Sequence, residues 1–330
     1  MERTTTRRAL LRAGAAGLGG LAVPRGALAQ GPLLDRPARL IMNFSAGGVM
    51  DTVARLYAER LRGQYAPQVI VDNRPGGAAR IGVELAKTAP ADGATFLMSP
   101  ETMMVLYPFI YRNLRYDPQR DFVPVTGLSS FGFGWLVDAN HPAKDFHGFI
   151  EWARRQTEID YATPAAGSTP HFVSVIMAQA LGLRLSHVPY REMAMAFADL
   201  NGGRIAAYMS VIGTAAEQHR SGRVRLLAVT MPQRVATLPD VPTFAELGFP
   251  QFTADEWYGI FLPAGTPQPM VAGLHGAIAR VAAAPEMRAS LLKLEQYPVE
   301  TTPAQFAERL RAERARWEPV VRSSGYEVAE

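Results

Sequence analysis

From Arg39 onward, short apolar runs alternate with stretches of helical period, and that alternation restricts the chain to a layered α/β fold. Residues 39–43 read as a strand and 44–48 as a loop, after which Val53, Leu56, Tyr57 and Leu61 recur at helical spacing. Residues 68–71 form a second strand, Asn73-Arg74-Pro75-Gly76-Gly77 a turn, 79–87 a helix, Asp92-Gly93 a turn and 95–98 a third strand. A β-α-β-α-β run predicts parallel pairing, because each crossover returns the chain in the same direction. A second set follows without close internal repetition: strands at 159–162, 187–189, 205–209 and 226–229, with helices at 172–181 and 193–200. Residues 122–138, rich in Val, Phe and Gly, read as a crossing between two lobes, and 257–262 as the return. In the last helix, Thr302-Pro303-Ala304-Gln305 supplies an N-cap, a first-turn proline and a capping-box glutamine. Phe306, Leu310, Glu313, Trp317 and Val321 mark its packed face, and Arg309, Arg311, Arg314 and Arg316 read as a solvated one.

A length of 330 residues suits two domains of ordinary size. The expected limits are a leader at 1–29, one lobe from 30–130 and 254–330, and a second from 131–253. The leader opens Thr6-Arg7-Arg8-Ala9-Leu10-Leu11-Arg12, continues through a Gly-interrupted apolar run and ends Ala27-Leu28-Ala29. That is the layout of a cleaved export signal, with paired arginines that fit the twin-arginine route and also an ordinary secretory signal. It is too short and too Gly-broken for a membrane span of roughly 20 residues. Gly17-Leu18-Gly19-Gly20-Leu21-Ala22 fits a dinucleotide fingerprint, but no strand precedes it.

The formal charge of +4 belongs to this leader, which holds five arginines against one acid. The rest of the chain is balanced, so charge offers no argument for nucleic acid. With no cysteine there are no disulfides, thiolate metal sites or thiol nucleophiles. No G-x-S-x-G, H-E-x-x-H or P-loop motif appears, and the six histidines lack metal-ligand spacing. No catalytic chemistry, cofactor or metal is therefore expected.

Two strand–helix junctions carry the chemistry. Phe44-Ser45-Ala46-Gly47-Gly48-Val49-Met50-Asp51 lets backbone approach a ligand closely and offers N–H groups at the positive end of a helix dipole. Many strand–helix turns contain Gly-Gly for purely structural reasons, and Asp51 reads as a group that steadies the loop. The second junction, Tyr161 to His171, places small residues before a helix, with Ser168 and Thr169 available as caps or ligand donors. His171 reads as a ligand contact or as a local hydrogen-bonding group, His187 as structural, and Trp135 and Trp257 as core, with Trp257 an alternative cleft wall. Two helix starts facing each other would hold an anion from both sides and favour closure.

Several segments in order resemble the solute receptors of tripartite tricarboxylate transporters, the Bug-type family. They include the Gly-Gly-to-Asp51 loop, Val71-Asp72-Asn73-Arg74-Pro75-Gly76, Ala91-Asp92-Gly93, Tyr116-Asp117-Pro118 and Asp121-Phe122-Val123-Pro124-Val125. Later come Tyr161-Ala162-Thr163, His187-Val188-Pro189-Tyr190, Asp199-Leu200-Asn201-Gly202-Gly203, Leu238-Pro239-Asp240-Val241-Pro242-Thr243 and Pro263-Ala264-Gly265-Thr266-Pro267. The resemblance implies a two-lobed, Venus-flytrap (type II-like) periplasmic binding protein with a cleft between the lobes. It implies a small carboxylate ligand held by loop N–H groups, a periplasmic location, a membrane permease as partner and a monomer. A sensory receptor serving a membrane signalling protein is the alternative.

The implied ligand-binding set is Phe44, Ser45, Ala46, Gly47, Gly48, Asp51, Ser99, Thr163, Ala165, Ala166, Gly167, Ser168, Thr169, His171, Arg191, Glu192 and Ser210. Here the chain departs from the family pattern. Ser45, Ala46, Val49 and Met50 stand in a loop that usually carries two prolines, three glycines and a threonine. Ala165 and Ala166 stand where a glycine and a polar residue are usual, Arg191-Glu192 replaces Lys-Gly, and Ser210 replaces an aspartate. Glu192 reads either as facing the ligand's far end, which would favour a cationic or amide distal group, or as merely facing water.

Overall fold

The structure is a computed structural model that describes residues 33–190 and 193–328. The leader, with its fingerprint-like run, and the Arg191-Glu192 pair lie outside the described residues.

Strand β1 (Ala38–Met42), helix α1 (Val49–Leu61), β2 (Val69–Asn73), α2 (Arg80–Lys87) and β3 (Thr95–Pro100) form the expected run. Strand β1 pairs in parallel with β2 on one side and β3 on the other. A π-helical turn (Thr102–Leu106) follows, then α3 (Tyr107–Ile110) and α4 (Pro118–Asp121). Strand β4 (Phe122–Asp138) is the expected crossing, a single strand of 17 residues. Beyond it lie α5 (Phe146–Ala153), β5 (Ile159–Thr163), α6 (Thr169–Leu181), β6 (Leu185–Pro189), α7 (Met193–Asn201), β7 (Ala207–Val211), α8 (Ile212–Arg220) and β8 (Val224–Val229). The chain returns through β9 (Asp255–Pro263) to α9 (Gln268–Ala283), α10 (Pro285–Leu292), β10 (Tyr297–Pro298) and α11 (Pro303–Ser324).

One sheet path runs β2-β1-β3-β9-β4-β7-β5-β6, with β10 and β8 each also paired to β4. Residues 122–132 of β4 pair with β9, and residues 133–138 pair with β7 and β8. Register shifts at Pro124/Thr126, Gly127/Ser129 and Trp135/Leu136 bend the strand. Such bulges re-aim a strand and also accommodate Pro124, whose ring nitrogen cannot donate to a ladder. The sheet has two halves, with β1 parallel to β2 and β3 in one and β5 parallel to β6 and β7 in the other, while all of β4's own pairings are antiparallel.

Both halves have apolar interiors. Trp135 is fully buried against Phe149 and Tyr161, with ring centroids 5.4 and 5.9 Å away. Trp257 is likewise core and not a cleft wall: its ring meets Phe306 at 5.0 Å and its Nε1 donates to Glu313 at 2.7 Å. Helix α11 starts with the full capping box and buries Phe306, Trp317 and Val321, as the sequence predicts. Its face is less purely apolar than the spacing suggests. Trp317 Nε1 donates to Glu101 (2.7 Å), while Arg309 bridges Glu313 (2.6 Å) and Asp255 (2.9 Å). Thr102 donates to Glu256 at 2.8 Å. Four acids against one arginine would repel strongly if all were ionised in a low dielectric. Burial instead pushes Glu101 well up, and pushes Glu256 up to about 7.

A raised carboxyl pKa means that the folded state holds a proton the unfolded chain releases. The stabilising contribution of Glu256 is therefore complete below its ordinary value of 4.5 and is lost as pH rises through about 7. Glu256→Gln keeps an acceptor for Thr102 and cannot ionise. Its melting temperature is expected to fall less than that of the wild type between about pH 5 and pH 8; an equal fall in calorimetry would contradict a protonated Glu256.

Candidate functional site

In a sheet with parallel strands, ligands bind beyond the carboxyl ends of those strands. In the first half, the end of β1 leads into the Gly47-Gly48 loop and α1. In the second, the end of β5 leads into the 164–168 loop and α6. Neither α1 nor α6 has a side-chain cap: Gly48 has none to offer, and Ser168 makes no capping hydrogen bond. The Ser168 hydroxyl instead donates to the Ala165 carbonyl at 2.6 Å. Side chains cap α4, α5 and α11, whereas α2, α3, α8, α9 and α10 also lack side-chain caps, so what sets α1 and α6 apart is their place at the carboxyl ends of β1 and β5. First-turn N–H groups at both junctions are thus left for an outside acceptor.

The first loop is open and internally locked. Phe44, Ser45, Ala46, Gly47 and Gly48 are exposed. Gly47 has φ +94°, a conformation that disfavours any side chain, and a Cβ built there would meet nothing within 4 Å. Asp51 is buried and serves the loop: one oxygen accepts the Gly47 N–H (3.0 Å) and Arg55 Nε (2.9 Å), the other accepts Asn73 Nδ2 (3.0 Å). Asn73 also donates to the Phe44 carbonyl at 3.0 Å, tying the end of β2 to the loop. Burial pushes the Asp51 carboxyl up, but Arg55, the Gly47 N–H and Asn73 outweigh it and hold the group below its ordinary value. Asp51 is therefore a loop organiser, with most of its acceptor sites occupied by loop and neighbouring donors.

The second loop is built on histidine. His171 Nδ1 accepts the Gly167 N–H at 3.0 Å, His187 Nε2 meets Thr163 Oγ1 at 2.8 Å, and the two rings lie 4.4 Å apart. Thr163 Oγ1 also donates to the Ala165 carbonyl at 3.0 Å. Burial, reinforced for His171 by its neighbour, drives both imidazoles down to about 4. Both are uncharged near neutrality, as an acceptor Nδ1 requires. Ala165 is exposed and Ala166 half-buried. Gly167, Ser168, Thr169 and His171 are buried. The Thr169 hydroxyl has no partner, and neither do those of Ser210 and Tyr208 on β7. Ser99, fully buried on β3, receives Asn43 Nδ2 at 3.3 Å.

The expected residues thus fall on the carboxyl edges of strands in both halves: β1 and β3 in the first, β5 and β7 in the second. The sequence reading missed Asn73 and Asn43 as supports. It also missed Tyr326, whose ring stands 5.1 Å from His171. The Asn73-Arg74-Pro75-Gly76 string was visible as a turn, but its reach to Asp51 depends on β1–β2 register.

A sheet that shares one long strand between two sets of parallel strands, each feeding a helix start, is the fold class of two-lobed periplasmic binding proteins. The profile described as tripartite tricarboxylate transporter family receptor matches residues 53–326. The chain belongs to that family. It is 32% identical over 289 residues to the UPF0065 protein of the tcbD-tcbE intergenic region of Pseudomonas sp. (strain P51), covering 87% of this chain and 86% of that one. It is 29% identical to protein BugT of Bordetella pertussis, with 88% and 90% covered. Among solved structures it is similar to R. palustris Rpa4515 with adipate (30% identity, TM-score 0.78, 88% and 97% covered). It is also similar to MatC from Rhodopseudomonas palustris with bound malate (27%, 0.74, 87% and 99%).

A lowered histidine pKa reverses the sign found for Glu256. The contribution of His171 and His187 is complete above the ordinary value of 6.5 and is lost as pH falls through about 4, because the unfolded chain takes up protons first. Imidazole C2-proton signals of both residues are expected to titrate near 4. In denaturant titrations His171→Gln should lose less stability than the wild type between about pH 7 and pH 4.5. Midpoints near 6.5 would contradict buried, neutral rings.

Proposed function

We propose that this chain is an extracytoplasmic receptor that captures a small carboxylate between its lobes and hands it to a tripartite tricarboxylate-type permease. It carries out no catalysis and acts as a monomer, exported after cleavage of residues 1–29. The lobes correspond to 30–130 with 254–330, and to 131–253, with β4 and β9 running between them. The observation that carries this reading is the pair of uncapped helix starts, one at each lobe's strand ends. A carboxylate placed between them receives N–H groups and positive dipole ends from both sides. Thr169 and Ser210 add buried hydroxyls without a partner. The relatives solved with adipate and with malate support the ligand class. Closure follows because a ligand held from both lobes binds the closed state better than the open one.

A thermal-shift screen of the mature protein against adipate, malate and other small carboxylates tests the proposal. A ligand at about 100 times its Kd adds roughly 2.7 kcal/mol to the folded state, which is a clear rise in Tm for a protein of this size. Gly47→Val should abolish that rise and should also lower the ligand-free Tm by several degrees, because a β-branched residue at φ +94° is strained even though its side chain meets open space. A wild type that responds to no carboxylate, or a Gly47→Val variant of undiminished affinity, would refute the clamp.

A further inference from the structure

The glycines of the two loops have opposite surroundings. Beside Gly47 there is open space, whereas a Cβ at Gly167 would lie 2.9 Å from Cε1 of Tyr326 and 3.3 Å from Cδ1 of Ile110. The close approach that Gly167 permits is thus taken by protein. Tyr326 lies just past the end of α11, where Gly325 at φ +66° turns the chain back. The tyrosine ring stands edge-on to His171 with centroids 5.1 Å apart, and reaches Phe172 at 6.2 Å.

The segment bearing Tyr326 is fastened to the other half of the molecule. The Val328 N–H donates to the Ile110 carbonyl (2.8 Å), and the Arg112 N–H donates to the Val328 carbonyl (3.3 Å). Glu327 pairs with Arg112. Ile110 and Arg112 follow β3 in the first half, while Gly167 and His171 follow β5 in the second. The carboxyl-terminal segment therefore spans from the first half to the ligand loop of the second.

We propose that Tyr326 is a positioning residue for ligand capture: its ring, tethered to the first half through Val328, holds the Gly167 turn against His171 and so fixes the N–H groups at the start of α6. This rests on the carboxylate-receptor reading for its functional consequence, but not for its structural one. The ring acts by covering the loop. Under the ring, water does not compete for the Gly167 N–H or its acceptor His171 Nδ1, so the pairing is firmer than an exposed one. A loop freed from the ring samples other conformations, and binding then carries the added cost of ordering it.

The test compares wild type, Tyr326→Ala and Tyr326→Phe by amide hydrogen exchange without ligand and by calorimetric titration with adipate and with malate. In Tyr326→Ala, exchange at Gly167 and the adjoining amides is expected to speed up by about tenfold or more. Affinity for whichever probe binds the wild type should fall by about tenfold. Phe keeps the ring and should restore both. Should alanine disrupt the segment broadly, Tyr326→Leu, which keeps apolar bulk but not the planar edge, yields the same comparison. Unchanged exchange at Gly167 in the alanine and leucine variants would overturn the proposal whatever the ligand. Faster exchange with unchanged affinity would overturn its functional half. A wild type that binds neither probe counts against the adipate- and malate-like ligand class alone, and the exchange result still decides the role of Tyr326.

Discussion

One strand is an interior member of both halves of the sheet, and the placement of every ligand-facing loop follows from that constraint. Strand β4 pairs with β9 along residues 122–132, with β10 on its other side at Ser129 and Ser130, and with both β7 and β8 at residues 134–136. Its bulges let a single ribbon serve two differently oriented sets of strands. Because β1 and β5 stand on opposite arms of this ribbon, the helix starts they feed belong to different halves. An interior strand buried on both faces must read as a nearly continuous apolar run, and residues 122–138 do so. Glycines at 127, 132 and 134 face side chains packed so closely that a Cβ would sit within 3 Å of them. The run is therefore fixed in sequence by packing and by pairing together.

The second organising feature is electrical. Anion sites can be made from cations or from backbone N–H groups, and around these two loops the described residues favour the latter. Arg55 is engaged by Asp51 and Asn73, Arg74 by Asp72, and both histidines are neutral. Backbone donors hold a carboxylate only if the loop that carries them is rigid, since each N–H is weak alone and direction matters. That explains why so much polar chemistry is spent on holding the loops. A buried carboxylate with three donors fixes the first, and a pair of neutral rings fixes the second. Asp51 and His171 each accept a loop N–H, so the donors of the proposed ligand site would depend on both.

The fold was legible in the sequence because its signals are local: apolar runs, helical spacing, Gly-Asp turns and the capping box at Thr302. The two loops were legible for the same reason, since glycine before a helix start is visible in four or five residues. The supports were not. Asn73 reaches Asp51 across the β1–β2 register, Thr102 reaches Glu256 across 154 positions, and Trp317 reaches Glu101 across 216. Nothing in a short window encodes such pairings. The π-helical turn at Thr102–Leu106 escaped for a related reason. Its five residues have no helical period to show, and α11 packing over it is what gives it a place.

Two groups of buried titratable side chains have opposite signs, and together they delimit the conditions under which this architecture is self-consistent. The carboxyls between β9, α11 and the π-helical turn tolerate burial by keeping protons, so alkali works against them. The imidazoles under the second loop tolerate burial by lacking one, so acid works against them. Both choices avoid an isolated charge in a low dielectric, which would cost several kcal/mol per ion. Between about 4 and 7 the Glu256 and His171 side chains are uncharged together. In that interval neither group places an isolated charge in the interior, and His171 Nδ1 stays free to accept the Gly167 N–H.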